Sequence, residues 1–193
     1  MLVVCADVSR RCEGLGRVIG DLGESALVSW GSLTARPDLA EAYPHLVALD
    51  PPLAPAGIEL LCTAPAGGFA YLAWGEPEVE FALAHARAEL DLRPALAELY
   101  RALRDLGGTA AGAQLEALLS GTGAHPRSPA MAARMLTVFR ELNLASYEDG
   151  RCTLAGAGRV ELERSPTYAA CQTLLDDARS YLATSVPRLP AAA

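Results

Sequence analysis

The chain has 193 residues, is 51% hydrophobic and carries a formal net charge of −7. That length and apolar content give one large or two small domains with a filled core, and exclude a disordered tail. The acidic balance argues against a free-standing nucleic-acid binder, whose affinity comes mostly from basic charge.

All sixteen basic residues are arginine, which together with abundant Ala, Gly and Leu reads as a coding bias and not as a functional signal. No apolar run reaches the ~18 residues of a membrane span. The opening Leu2-Val3-Val4-Cys5-Ala6 is too short for a signal peptide and is interrupted by Asp7. The expectation is a soluble, cytoplasmic protein with no membrane partner. Cys5, Cys12, Cys62, Cys152 and Cys171 are odd in number, widely spaced and set among apolar residues. They read as buried thiols, without the clustered spacing that zinc requires.

In chain order, residues 2–6 predict a strand and 9–22 a helix with Cys12, Leu15, Val18, Ile19 and Leu22 inward. Residues 26–30 predict a second strand, 37–43 a short helix, and 46–49 a third strand stopped by Asp50-Pro51-Pro52. A brief helix at 58–62 precedes a fourth strand at 69–74, fenced by Gly67-Gly68 and Gly75, and a helix at 76–90. Strands alternating with helices imply parallel pairing through right-handed crossovers. In such sheets ligands sit beyond the carboxyl ends of the strands, here marked by Asp7, Ser9, Ser29, Trp30, Asp50 and Gly75. Asp7 and Asp50 have the chemistry for acid–base work, but aspartates also suit strand-to-loop junctions for turn chemistry alone. Gly14, Gly16 and Gly20 loosely resemble a dinucleotide fingerprint, yet they fall inside the predicted helix with the spacing wrong by one.

The second half changes character near Asp91-Leu92-Arg93-Pro94. A helix from Pro94 to about Leu106 presents Leu96, Leu99, Tyr100, Leu103 and Leu106 inward, and Gly107-Gly108 ends it. Thr109 caps a shorter helix through Leu115, Leu118 and Leu119. Ser128-Pro129 then combines an N-cap with a first-turn proline. Met131, Met135, Val138, Phe139 and Leu142 follow as one apolar stripe, and Asn143 stops it. Residues 144–147 and 151–154 form a hairpin about Asp149-Gly150, a dipeptide that tolerates the positive φ of a tight turn. Val160-Glu161-Leu162 predicts a third, edge strand. Ser165-Pro166 opens a last helix with Tyr168, Cys171, Leu175, Ala178 and Leu182 on one face, ending before Pro187.

The expected fold class is therefore α/β. A small four-stranded parallel Rossmann-like sheet with flanking helices occupies 1–90, and a winged-helix-like α+β subdomain with a C-terminal helix occupies 91–193. A helix that reads DNA needs Arg, Lys, Asn or Gln away from the core. The face opposite the apolar stripe holds Ala130, Ala133, Thr137, Arg140 and Glu141, and the hairpin tip is the acidic Glu148-Asp149. Both features favour a winged helix used for protein docking. Arg101, Arg104, Arg127, Arg134 and Arg140 form the candidate partner-binding set. They are either solvated helix faces with local ion pairs, or a site for an acidic peptide or a phosphate, since arginine pairs bidentately with carboxylates.

Three stretches carry a family resemblance: LDLRPALAELYRALRDLGG (90–108), RMLTVFRELNLASYEDGRCTL (134–154) and RVELERSPTYAAC (159–171). Their order resembles the C-terminal region of RecJ-type single-stranded-DNA exonucleases, in which a tyrosine-bearing helix precedes a helix of the form Val138-Phe139-Arg140-Glu141-Leu142. A hairpin follows in that family, and then a segment matching Arg159, Leu162, Ser165 and Tyr168. The LVVCADVSRR opening and LVALDPP are similar more loosely. Such nucleases use manganese or magnesium held by aspartates and histidines, including an Asp-His-His motif. This chain has only the isolated His45, His85 and His125.

The resemblance therefore implies an accessory C-terminal domain with no catalytic residues and no metal of its own, the manganese or magnesium belonging to a core on absent residues. The first strand opening at residue 2 suits such an excised region. Implied partners are single-stranded-DNA-binding protein, through its acidic tail, and a DNA helicase, with weak or no direct nucleic-acid binding. Two other readings stand beside it. One is a free-standing winged-helix transcriptional regulator with an α/β sensor domain. The other is a small α/β enzyme using Asp7 and Asp50.

Overall fold

The computed structural model describes residues 1–20, 24–62, 68–123, 125–156 and 160–185. Leu22, Gly67, Arg159 and Pro187 lie outside these residues, as do the side chains of Val18 and Ile19. The chain forms two compact units, Met1–Ala86 with the stretch from Asp177 onward, and Arg87–Asp176. The division falls inside a helix at each crossing and not in a linker.

The first unit is built on four parallel strands, β1 (Leu2–Cys5), β2 (Ala26–Ser29), β3 (His45–Ala48) and β4 (Phe69–Leu72), in the order β2-β1-β3-β4. β1 is central, paired with β2 and β3, and all four of its residues are buried. That is why LVVC is an unbroken apolar run and not an alternating one. Leu2, Val4, Leu46 and Ala48 share a core with Trp30, Leu33, Ala40 and Leu61. The last four come from helices α2 (Trp30–Ala35), α3 (Asp38–Glu41) and α4 (Ala56–Leu61), α1 being Val8–Gly20. α5 is Glu76–Leu90, and its Val79 and Ala82 join a second cluster with Ala6 and Leu182.

Trp30 opens a helix and does not close a strand, because the Ser29 hydroxyl accepts the Ser32 N–H at 3.0 Å as an N-cap. α1 likewise starts a residue early, with an Asp7 oxygen accepting the Arg10 N–H at 3.2 Å.

The second unit runs α6 (Leu92–Asp105), β5 (Thr109–Ala111), α7 (Gly112–Ser120), α8 (Pro129–Glu141), β6 (Ala145–Glu148), β7 (Arg151–Leu154) and into α9 (Pro166–Leu182). Its sheet is antiparallel in the order β5-β7-β6. Helix, strand, helix, helix and a two-stranded wing is the element order of a winged helix. Ser128 caps α8 by accepting the Met131 N–H at 3.0 Å, and Met131, Met135, Val138 and Phe139 are buried. Asp149 (φ 50°) and Gly150 (φ 73°) make the two-residue wing turn.

Three expectations change here. Thr109 does not cap a helix; it opens β5, the third strand, which pairs with β7. Val160-Glu161-Leu162 is not a strand, and Leu162–Arg164 is a 3-10 turn leading to the Ser165 cap of α9. Leu106 is 41% exposed, because α6 ends before it and the chain turns away at Gly107 and Gly108, both at positive φ. The α9 face is as expected, with Tyr168, Cys171, Leu175, Ala178 and Leu182 all buried.

Candidate partner-docking site

The five candidate arginines divide into two groups. Arg127 pairs with Glu98 and donates to the Leu118 carbonyl at 3.2 Å, while its guanidinium lies against Gly121. Arg134 donates to the Glu89 carbonyl at 3.2 Å and approaches the Glu89 carboxylate at 3.5 Å. That carboxylate also accepts the Ser128 hydroxyl at 2.6 Å. These two arginines thus hold the second unit together. Arg101, Arg104 and Arg140 are exposed, and Arg101 donates back to the Ala97 carbonyl of its own helix at 3.1 Å. Arg127 and Arg134 are thus engaged by Glu98 and Glu89, while Arg101, Arg104 and Arg140 are exposed.

The face opposite the α8 stripe is poorer for DNA than its sequence. Thr137 donates to the Ala133 carbonyl at 2.9 Å. Glu141 does not face outward with Arg140. Its oxygens accept the Ser165 hydroxyl, the Thr167 N–H at 3.1 Å and the Thr167 hydroxyl at 2.7 Å, gripping the start of α9. Those bonds to the charged form hold its carboxyl below the usual range, the Ser165 hydroxyl contributing most. Glu148 and Asp149 are exposed at the wing tip, where they repel phosphate.

A cleft of about 260 Å³ opens beside α6 and α8. It is lined by the buried Leu96, Phe139 and Leu144, the half-buried Tyr100, Val160 and Leu162, and the exposed Arg93. The Tyr100 ring meets Phe139 edge-on, with centroids 6.4 Å apart. Arg93 is fixed by two bonds, from Nε to the Tyr168 hydroxyl at 3.1 Å and from Nη2 to Glu163 at 2.6 Å. The candidate set missed Arg93. The signal was available: Arg93, Leu96, Ala97 and Tyr100 stand at i, i+3, i+4 and i+7, one side of a helix.

At the carboxyl edge of the parallel sheet, Asp50 is fully buried. It accepts the Ala6 N–H at 2.9 Å and the Arg11 Nε at 3.2 Å, and Arg11 Nη2 takes its other oxygen. Arg11 also lies over the Phe81 ring at 4.0 Å. Asp7 caps α1 and lies 3.3 Å from Arg10 Nε and 3.5 Å from His85 Nδ1. Arg10 Nε is misaligned for a hydrogen bond despite that distance. Both carboxylates are thus occupied by structural partners. Cys5, beside them, donates weakly to the Val28 carbonyl at 3.6 Å, and burial, aided by the Asp50 charge, pushes its thiol up to about 12. Cys12 and Cys62 are exposed, contrary to the expectation that all five thiols are buried.

Comparison with family models, with curated proteins and with solved structures gives no match to this chain. Function has to be argued from the residues themselves. Among the described residues, no three or more His, Cys, Asp or Glu side chains gather as a metal site, and no helix is long and apolar enough to cross a membrane.

Proposed function

We propose that this chain is a non-catalytic accessory region of a RecJ-like single-stranded-DNA exonuclease, acting in cytoplasmic DNA repair and recombination by recruiting protein partners. The partners are single-stranded-DNA-binding protein and a DNA helicase. The divalent ion of the nuclease belongs to residues outside this sequence. One observation carries the docking part of the reading: a winged-helix element order in which the outer face of α8 offers a single exposed arginine, Arg140, beside an already bonded Thr137 and Glu141, and the wing tip is acidic, while an apolar cleft with a fixed arginine opens on the same unit. The occupied state of Asp7 and Asp50 supports the non-catalytic part.

Titration of the full chain against single-stranded-DNA-binding protein, candidate helicases, single-stranded DNA and duplex DNA tests this. Binding to either protein, with weak or absent binding to both DNAs, is expected. Failure with every protein overturns it. Salt-sensitive duplex binding by a dimer establishes instead the transcriptional regulator, which the same element order supports.

A further inference from the structure

We propose that β4 joins two copies of this chain, pairing antiparallel with the same strand of a second copy about a twofold axis at Tyr71. The inference concerns the first unit alone and stands independently of the recruiting reading. β4 is an outer strand of the parallel sheet, and among the described residues only β3 pairs with it. All four of its residues are exposed, with Phe69, Tyr71 and Leu72 at 57%, 51% and 54%. Parallel sheets are normally covered on both faces, so three large apolar side chains on one open strand mark a contact surface.

The backbone sets what that edge accepts. The Phe69 N–H donates to the Pro44 carbonyl at 2.9 Å, and the Ala73 N–H to the Ala48 carbonyl at 2.8 Å. Donors and acceptors alternate sides along a strand, so those of Ala70 and Leu72 face outward. An antiparallel copy centred on Tyr71 sets Ala70 opposite its partner's Leu72, and the two residues exchange both their bonds. The twofold axis repeats the pair, giving both β4 strands a partner. Neither is left free, and assembly stops at two.

Side chains and charge favour a second copy over a foreign strand. In this register Leu72 meets Ala70 and Phe69 meets Ala73, so each large side chain stands against a small one. Tyr71 meets its own counterpart in a non-hydrogen-bonded pair, the closest kind. It prolongs a row already formed on that face, where His45 stacks on Phe69 with centroids 6.0 Å apart and Phe69 lies 6.3 Å from Tyr71. Residues 68–75 carry no charge, whereas the net charge of −7 sets copies repelling elsewhere. Edge strands are commonly guarded against such pairing by charges or proline. β6, an outer strand of the other sheet, carries Glu148, while β4 has neither guard. So short a strand pair falls below the ~1,200 Å² of a stable interface, and the dimer is a weak one.

Sedimentation equilibrium of the full chain from about 10 µM to about 1 mM tests this, the range in which small interfaces populate. A reversible monomer–dimer equilibrium is expected. Tyr71→Lys sets two ammonium groups directly opposite and should weaken the dimer about tenfold, and Leu72→Lys should also weaken it. Tyr147→Lys, at an exposed aromatic of β6, should leave it unchanged. Register is read by cross-linking in a Cys12→Ser, Cys62→Ser background, which removes the exposed native thiols. Tyr71→Cys should oxidise readily to a covalent dimer, because its counterpart's Cα lies about 4.5 Å away, within disulfide reach. Phe69→Cys faces Ala73 and not itself, and should cross-link far more slowly. Circular dichroism checks that each variant is folded, and should a lysine variant unfold, the cross-linking pair decides. A monomer at every concentration overturns the inference, as does assembly beyond two, a dimer indifferent to both lysines, or equal cross-linking at the two positions.

Discussion

Arg11, in the first turn of α1, donates to both carboxylate oxygens of Asp50, beyond the end of β3. The pair lies where the strand order turns from β1 toward β3, the place where open α/β sheets usually bind ligands. Here the residues of that crevice tie strand ends to helices: Asp50 also accepts from Ala6, and its carbonyl accepts the Trp30 indole at 3.0 Å. Asp50 is fully buried and accepts three bonds from Ala6 and Arg11, so the carboxylate serves the fold at this corner.

The first prediction follows from that burial. Removing one partner of a buried pair leaves the other charge uncompensated, and Asp50→Ala should cost about 3 kcal/mol in denaturant unfolding. Arg11→Met combined with Asp50→Leu should cost less than Asp50→Ala alone, since an apolar pair leaves no stranded charge. Neither should alter partner binding. A stable Asp50→Ala with an unchanged midpoint removes the structural role.

Glu141 makes a pH-dependent joint with α9. Its carboxyl is held below the usual 4.5, first by the Ser165 hydroxyl and then by Thr167. A carboxylate depressed by folding contributes stability that is fully present above its unfolded value and lost as pH falls through its folded one. The contribution should therefore stand at pH 7 and drain away below about 4.5. After allowance for solvent screening, Glu141→Gln should lose about 1 kcal/mol at pH 7 and show a shallower acid decline. Urea midpoints from pH 7 to pH 2.5 for both proteins measure it, and parallel curves would contradict it.

Local chemistry explains what could be read in advance. Ser128-Pro129 followed by an apolar stripe, and Asp149-Gly150 between two short runs, each define their element from adjacent residues, and α8 and the wing form there. β5 could not be read that way. Thr109-Ala110-Ala111 has no alternation, and the strand it pairs with is β7, some forty residues on. Val160-Glu161-Leu162 does alternate, but among the described residues no strand pairs with it and the chain turns at Leu162–Arg164. The partners of the arginines could not be read for a related reason. Spacing shows which side of a helix carries a guanidinium, not which distant carboxylate waits for it. Glu98 and Glu89 lie 29 and 45 residues from their arginines.

The thiols divide by burial. Cys5, Cys152 and Cys171 are buried and desolvation raises all three, whereas Cys12 and Cys62 reach solvent. The thiolate is the reactive form, so iodoacetamide at pH 8 should label Cys12 and Cys62 in the native protein and spare the others. Denaturant should release all five. Peptide mass spectrometry reads the pattern directly, and early labelling of Cys5 would place it outside the core.

Two glycine-to-alanine substitutions should act in opposite directions. Gly14 sits in α1 with open space where a Cβ would stand, so Gly14→Ala should gain about 0.5–1 kcal/mol from helix propensity and a less flexible unfolded chain. Gly57 is also helical, in α4, yet a Cβ there would lie 2.3 Å from the Pro52 Cβ and 2.9 Å from its Cγ. Pro52 is buried beside Asp50 and its ring cannot swing aside, so helix and strand corner must separate. Overpacking of this kind costs about 1–3 kcal/mol, which outweighs the propensity gain. Thermal unfolding of the two variants should therefore shift up for Gly14→Ala and down for Gly57→Ala. Two upward shifts would mean that α4 does not close on the Asp50-Pro51-Pro52 corner.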